Sequence, residues 1–241
     1  MRILLVGYGK MGQTIEGIAI KRGHTIAGKI DVNNASDIHN FNNSNTDAAI
    51  EFTHPNSAFN NVSVLLNSNI PTVCGTTGWL DKKQDIENLC KSKNGSFIYA
   101  SNYSIGVNIF WAVNEYMAIL MNKALEYDVT MDEIHHVYKK DAPSGTAITA
   151  AEGVLKHLKR KNKWTIDRGS ISPSDLYIDH HRIHNKPGTH TVMYTSPVDS
   201  IELTHTAFNR DGFATGSVVA AEYIHDKKGI FSMKEVLGIN V

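Results

Sequence analysis

Ile3 to Val6 is an unbroken apolar run, and it leads straight into Gly7-Tyr8-Gly9-Lys10-Met11-Gly12. The hexapeptide has the spacing G-x-G-x-x-G, and Ile15, Ile18 and Ala19 then recur at helical intervals. Glycine turns are common, so the spacing alone says little. A buried strand, a glycine turn and a helix in that order are more restrictive, because together they open a βαβ unit with parallel strands. Thr25 to Ile30 reads as the second strand and ends at Asp31, about 20 residues beyond the turn, where the dinucleotide fingerprint places an acid.

Each of these residues has a physical task. Gly7 permits the tight turn, Gly9 lets backbone approach a pyrophosphate, and Gly12 allows close helix-to-strand packing. The N–H groups at the helix start face the anion, and Asp31 can accept from both ribose hydroxyls. Gly7, Tyr8, Gly9, Lys10, Met11, Gly12 and Asp31 are therefore candidate cofactor contacts. The competing reading is a structural turn with no ligand.

The alternation continues. Ala48 to Thr53, Pro71 to Cys74 and Phe97 to Ala100 read as strands, and Pro55 opens a helix between the first two. Strands alternating with helices predict a doubly wound, Rossmann-type parallel sheet, the α/β class. Two further clusters end predicted strands: Gly75-Thr76-Thr77-Gly78, and Ala100-Ser101-Asn102-Tyr103 followed by Ser104. Carboxyl ends of parallel strands are where such sheets bind ligands. Gly75, Thr76, Thr77, Ala100, Ser101, Asn102 and Tyr103 join the cofactor candidates.

After Asn102 the pattern changes. Val107 to Met121 predicts a long apolar helix, Val129 to Val137 an extended segment, and Gly145 onward another helix. Residues 168 to 188 read as polar and irregular, with His180, His181 and His184 on an exposed loop. Thr191 to Thr195 and Ile201 to Phe208 suit antiparallel strands, which makes His205 a structural strand histidine. Gly216 to Ile224 closes with a small-residue helix. The expected organisation is a dinucleotide-binding domain from 1–102 and 212–241. Between them, 103–211 forms an α+β domain with a mixed sheet.

Composition excludes several classes. Lys+Arg and Asp+Glu both number 24, which argues against a general nucleic-acid binder. Cys74 and Cys90 make neither a C-x-x-C pair nor a disulfide scaffold, as expected for reduced thiols in the cytoplasm. No apolar stretch approaches the length of a membrane span.

The second chemical constellation is Glu133 to Ala147, EIHHVYKKDAPSGTA. His135 and Lys139 are four apart, a spacing that puts them on one side of a strand or one face of a helix. Histidine titrates near neutral pH and can deliver a proton, while lysine offers a fixed cation to a carboxylate. Ser144-Gly145-Thr146 opens a helix whose N–H groups and hydroxyls can grip a second carboxylate. The group suits a small dicarboxylate and one proton transfer. A metal is the rival reading, because the chain has 12 histidines. There is, however, no H-E-x-x-H, no neighbouring cysteine and no acidic ligand run, so no metal is expected.

The stretch from Glu133 to Ala147 resembles the E-x-H-H-x-x-K-x-D-A-P-S-G-T-A motif of the dihydrodipicolinate reductase (4-hydroxy-tetrahydrodipicolinate reductase) family, of the diaminopimelate route to lysine. The resemblance extends over the N-terminal glycine turn, Glu51 to Pro55, Gly75 to Gly78, Ser101 to Asn108 and Gly188 to His190. It implies that His135 protonates the carbon next to the one receiving hydride, that Lys139 binds a substrate carboxylate and assists as a donor, and that His136, Ser144, Gly145 and Thr146 hold the substrate. It further implies NADH and/or NADPH as cofactor, a dicarboxylate substrate, and a homotetramer whose units close over the ligand. Three departures stand out. The glycine turn is one residue shorter and has Lys10 in place of arginine. Val32 follows the acid where many members place a basic residue. In the stretch Arg182, His184, Gly188 and His190, His184 stands where the family has a glycine. A 2′-phosphate would meet like charge at Asp31, which Lys10 could offset, and Val32 weakens NADPH recognition further, so NADH is predicted to serve at least as well as NADPH. Two other functions share the first domain: another nicotinamide-dependent dehydrogenase of an amino-acid-derived acid, and a non-catalytic NADH-binding redox sensor.

Overall fold

The computed structural model describes residues 1–240. The chain packs as two compact units, Met1–Ile105 with Arg210–Asn240, and Gly106–Asn209.

The first unit is a parallel sheet flanked by helices. In chain order it contains β1 (Arg2–Val6), α1 (Lys10–Lys21), β2 (Thr25–Ile30), β3 (Ala48–Glu51), α2 (Pro55–Asn67), β4 (Thr72–Cys74), α3 (Lys83–Ser92) and β5 (Ser96–Tyr99). β1 is hydrogen-bonded on both edges, to β2 and β3. With both faces covered as well, Ile3, Leu4, Leu5 and Val6 are all buried. This is why the run is continuous rather than alternating. Pro55 sits at the start of α2 behind the His54 cap, where its missing N–H costs nothing.

The second unit holds α4 (Ile105–Met121, whose first residue belongs to the first unit), β6 (Asp128–His135), α5 (Gly145–His157), β7 (Lys163–Thr165), β8 (Asp175–Arg182), β9 (Gly188–Thr195) and β10 (Ser200–Ala207). The sheet order is β10-β9-β6-β8-β7. β10, β9 and β6 pair antiparallel, while β6, β8 and β7 pair parallel. Its core joins Phe110 and Met121 of α4 and Ala147, Ala151 and Val154 of α5 to Val129, Met131, Leu176, Ile178, Val192 and Tyr194 of the strands. The chain then returns to the first unit as α6 (Asp211–Ile224), β11 (Gly229–Phe231) and α7 (Met233–Val236). β11 extends the parallel sheet beside β5, giving the order β11-β5-β4-β3-β1-β2.

Three expectations need correction. Residues 168–188 are not irregular throughout, because they contain β8, an interior strand of the mixed sheet. Only Leu176 and Ile178 mark its inward face, too short an alternation to stand out beside Asp179-His180-His181-Arg182. His180 and His181 thus lie on a strand, and only His184 falls in the turn beyond it. Within that turn the positive φ, 60°, falls on Asn185, so His184 fills its place without a glycine's conformation. Finally, residues 33–45, whose Asn- and Ser-rich sequence predicts a loop without a core of its own, do carry a core contact: a 3-10 turn at Ala35–Asn40 buries Ile38 against Leu4, Val6 and Ile30.

Candidate active site

In the first unit the strand order reverses between β1 and β3, the switch point at which such sheets bind ligands beyond their carboxyl ends. Gly7 follows β1 with φ +97°, and a Cβ there would lie 1.9 Å from the Phe52 carbonyl oxygen after β3. Only glycine tolerates both conditions. Gly12, in the first turn of α1, faces the Gly7 carbonyl. Gly9 precedes α1 with no side-chain cap and with nothing within 4 Å of a Cβ position. Lys10 is the exposed first residue of the helix, and Met11 packs in part against the core. The Tyr8 hydroxyl donates to Glu16, whose carboxylate also pairs with Lys29 at 2.6 Å. That pairing holds the Glu16 carboxyl below its ordinary range.

Asp31 stands exposed just beyond β2. Its Oδ1 accepts from the Asn33 amide at 2.7 Å, while its own N–H donates to Asn34 Oδ1 at 2.7 Å. The carboxylate is thereby fixed at the end of the strand. Val32 beside it is 93% exposed. Gly75 lies against the Phe52 ring. Thr76 is buried, its Oγ1 accepting from the Thr53 amide at 2.7 Å and its carbonyl from Trp79 Nε1 at 2.7 Å. Thr77 and Ser101 are exposed, and Ala100 is half-buried. Asn102 is buried and accepts from the Ser104 amide at 2.9 Å. Tyr103 is core: its ring meets Phe52 edge-on, and its hydroxyl donates toward the Cys74 and Ile98 carbonyls at 2.8 and 3.2 Å. Its backbone is what remains to meet a ligand. The open approach at Gly9, the uncapped start of α1 and the fixed carboxylate of Asp31 fit a dinucleotide.

In the second unit, β6 alternates Val129, Met131, Glu133 and His135 inward. Glu133 is fully buried, with Oε2 accepting from the Ser144 amide at 2.9 Å and Oε1 lying 3.3 Å from Arg182 Nη2. Burial raises its pKa, but the Ser144 hydroxyl and amide and the nearby histidines outweigh that and hold it below its ordinary range. The His135 imidazole is inward too. Its Nδ1 lies 3.0 Å from the Pro187 carbonyl and its Nε2 lies 3.2 Å from His190 Nε2. Burial depresses its pKa; Lys139 and Arg182 push the same way, and Glu133 opposes them. His190, inward on β9, lies 3.0 Å from Ser144 Oγ. Burial, with His135 second, lowers its pKa to about 3.

Lys139 does not share a strand or helix face with His135, because β6 ends at His135 and Lys139 lies in the turn beyond. Its Nζ contacts both Asp141 carboxylate oxygens at 2.9 and 2.8 Å. His136 sits half-buried with its ring 6.4 Å from that of His135 and its Nδ1 buried without a partner. Ser144 caps α5, its hydroxyl accepting from the Ala147 amide at 3.2 Å. Gly145 is exposed, with nothing within 4 Å of a Cβ position, and Thr146 is half-buried beside it. The start of α5 is therefore open at Gly145 while Ser144 is committed to the scaffold. Sequence reasoning assigns no role to Glu133 or His190. The available signal is the inward register of each on its strand, among apolar neighbours.

Comparison with known proteins bears on the whole chain. The family model described as dihydrodipicolinate reductase, N-terminus, matches residues 1–103, and its C-terminus counterpart matches 106–237. The chain belongs to the dihydrodipicolinate reductase family. A 4-hydroxy-tetrahydrodipicolinate reductase from Christiangramia forsetii is 47% identical over 239 residues, covering 98% of both chains. One from Methanocaldococcus jannaschii is 36% identical over 200 residues, covering 80% of this chain and 72% of its own. In fold, the chain is similar to a dipicolinate-bound dihydrodipicolinate reductase from Paenisporosarcina sp. TG-14, with a TM-score of 0.79, 21% identity and 98% of both chains covered. Membership of the dihydrodipicolinate reductase family accounts for a Rossmann-like sheet and a mixed sheet in one chain, and for a nicotinamide cofactor, NADH or NADPH. Among the described residues no helix is long and apolar enough to cross a membrane.

Proposed function

We propose that this chain is a 4-hydroxy-tetrahydrodipicolinate reductase, reducing 4-hydroxy-tetrahydrodipicolinate to tetrahydrodipicolinate with NADH or NADPH in lysine and diaminopimelate synthesis. The observation that carries this reading is the 133–147 segment. It folds as a strand end, a turn and a helix start, with Glu133, His135 and Ser144 in one buried cluster. Neither a redox sensor nor a different dehydrogenase needs that segment.

The nicotinamide cofactor, when bound, supplies the hydride. The backbone of Gly7 to Gly12 receives its pyrophosphate, Asp31 its ribose hydroxyls, and Gly75 to Thr77 with Ala100 to Tyr103 its nicotinamide half. The substrate loses water to give a conjugated cyclic imine, one ring carbon accepts hydride, and the adjacent carbon accepts a proton. His135 is the donor of that proton. Lys139 exchanges Asp141 for a substrate carboxylate and assists as a donor, and the α5 start at Gly145 and Thr146, with His136, holds the second carboxylate. Both His135 ring nitrogens are engaged inside the protein, so proton delivery exchanges the His190 contact for the substrate.

The protein acts as a homotetramer in the cytoplasm. Exposed Ile109, Val113, Tyr116 and Leu120 follow one another along one face of α4, an apolar stripe of the kind subunit contacts cover. Both thiols are buried and reduced, in keeping with that compartment.

A coupled assay tests the function. The upstream synthase generates the unstable substrate, and NADH and NADPH absorbance are followed separately. Turnover dependent on the synthase product is expected; cofactor binding without turnover would support the sensor instead.

A further inference from the structure

The His135–His190 contact carries a constraint on protons. The Pro187 carbonyl can only accept, so the His135 Nδ1 beside it carries the hydrogen. In the neutral ring Nε2 is then a lone pair. It faces His190 Nε2 at 3.2 Å, so the single proton between the rings belongs to His190. The Ser144 oxygen, 3.0 Å from the same nitrogen, shares it. The alternative tautomer of His190 would place its hydrogen on Nδ1, which is buried with no hydrogen-bond partner, and a buried unpaired donor is costly.

We propose that His190 is a positioning residue for His135. Its Nε2–H holds the neutral His135 ring inward, and it leaves no room for a second hydrogen between the two nitrogens, so protonated His135 is turned out toward the substrate. The inference rests on the reading of His135 as the proton donor. The other charges facing this pair are Glu133 on β6, Lys139 and Asp141 in the turn after it, Arg182 on β8 and His205 on β10. Glu133 favours a charged His135, with its Oε2 4.0 Å from Nε2. Lys139 and Arg182 oppose it. His190 adds the directional part: it can donate to His135 and has no good way to accept from it.

The test has two arms. Long-range 15N–1H spectra of the imidazoles in the wild-type protein report tautomers without requiring turnover. His135 is expected as the Nδ1–H form and His190 as the Nε2–H form; an Nε2–H His135 overturns the proposal. In the second arm, His190→Gln places an amide oxygen that can accept where His190 cannot. The His135 titration midpoint should rise and kcat fall by about tenfold or more, with KM for the dicarboxylate changing less than about twofold. His190→Phe should lose kcat without that rise. An unmoved midpoint in His190→Gln, or wild-type kcat, overturns the proposal. If a variant fails to fold, the wild-type tautomers alone decide it. A wild-type protein without reductase activity would refute the functional reading and leave the spectral arm standing.

Discussion

Gly188 backs directly onto the imidazole of His135: a methyl group in place of its hydrogen would lie 2.8 Å from Cε1 and 3.3 Å from Nδ1 of that ring. The first approach is closer than a Cβ tolerates and the second is tight, and the ring has Pro187 and His190 on its nitrogens. Gly188→Ala is therefore expected to push the ring off its partners. Overpacking of this kind costs about 1–3 kcal/mol, measurable by urea denaturation, and kcat should fall at the same time. Full activity with unchanged stability would show that the ring is not held between Gly188, Pro187 and His190.

His135→Gln keeps roughly the volume of the side chain and removes its titratable proton. General acids contribute roughly 100- to 10,000-fold, so kcat is expected to fall within that range while KM changes by much less. Steady-state kinetics with saturating cofactor checks this, and unchanged turnover removes His135 from the mechanism.

Lys139→Ala is expected to harm both constants. The ammonium that pairs with Asp141 at 2.8 Å is the cation proposed to bind a substrate carboxylate. Its loss weakens ground state and transition state alike. A fall in kcat with KM untouched would count against a binding role.

Stability should decline as the pH falls below about 6.5. The folded pKa of His190 lies at about 3, below the ordinary histidine value, so on acidification the unfolded chain takes up its proton first. The stability this group contributes is complete above about 6.5 and is lost progressively toward about 3. Burial lowers His135 and His205 in the same direction. Glu133, also depressed, adds its loss only below the ordinary carboxyl range. Between pH 6.5 and 5.5 the wild type should lose on the order of 1 kcal/mol by urea denaturation, and His190→Gln should lose less. Equal slopes would contradict the burial of a neutral imidazole.

Cofactor choice should follow Asp31 and Val32. A carboxylate fixed at the end of β2 by the Asn33 amide is suited to accept from ribose hydroxyls and would repel a 2′-phosphate, and exposed Val32 would offer that phosphate no charge. NADH is expected to match or exceed NADPH in kcat/KM. Val32→Arg should move the ratio toward NADPH by about tenfold, the effect of one favourable charge contact. A strong wild-type preference for NADPH would show that Lys10 governs the site.

The sequence by itself determined the parallel sheet and its glycine turn. Their signals are local: a strand covered on both faces is apolar throughout, and a turn at φ +97° against a carbonyl admits only glycine. It also determined the 133–147 segment, whose residue types are contiguous. Only the tertiary structure decided what His135 faces. Its partners Pro187 and His190 are more than 50 residues away, brought alongside by the antiparallel register of β6 and β9. The same pairing buries Glu133 and sets Lys139 apart in the turn. β8 was illegible for a related reason: an interior strand of a mixed sheet is defined by the neighbours that pair with it, and a two-residue apolar alternation becomes a core face only once β6 and β7 lie on either side.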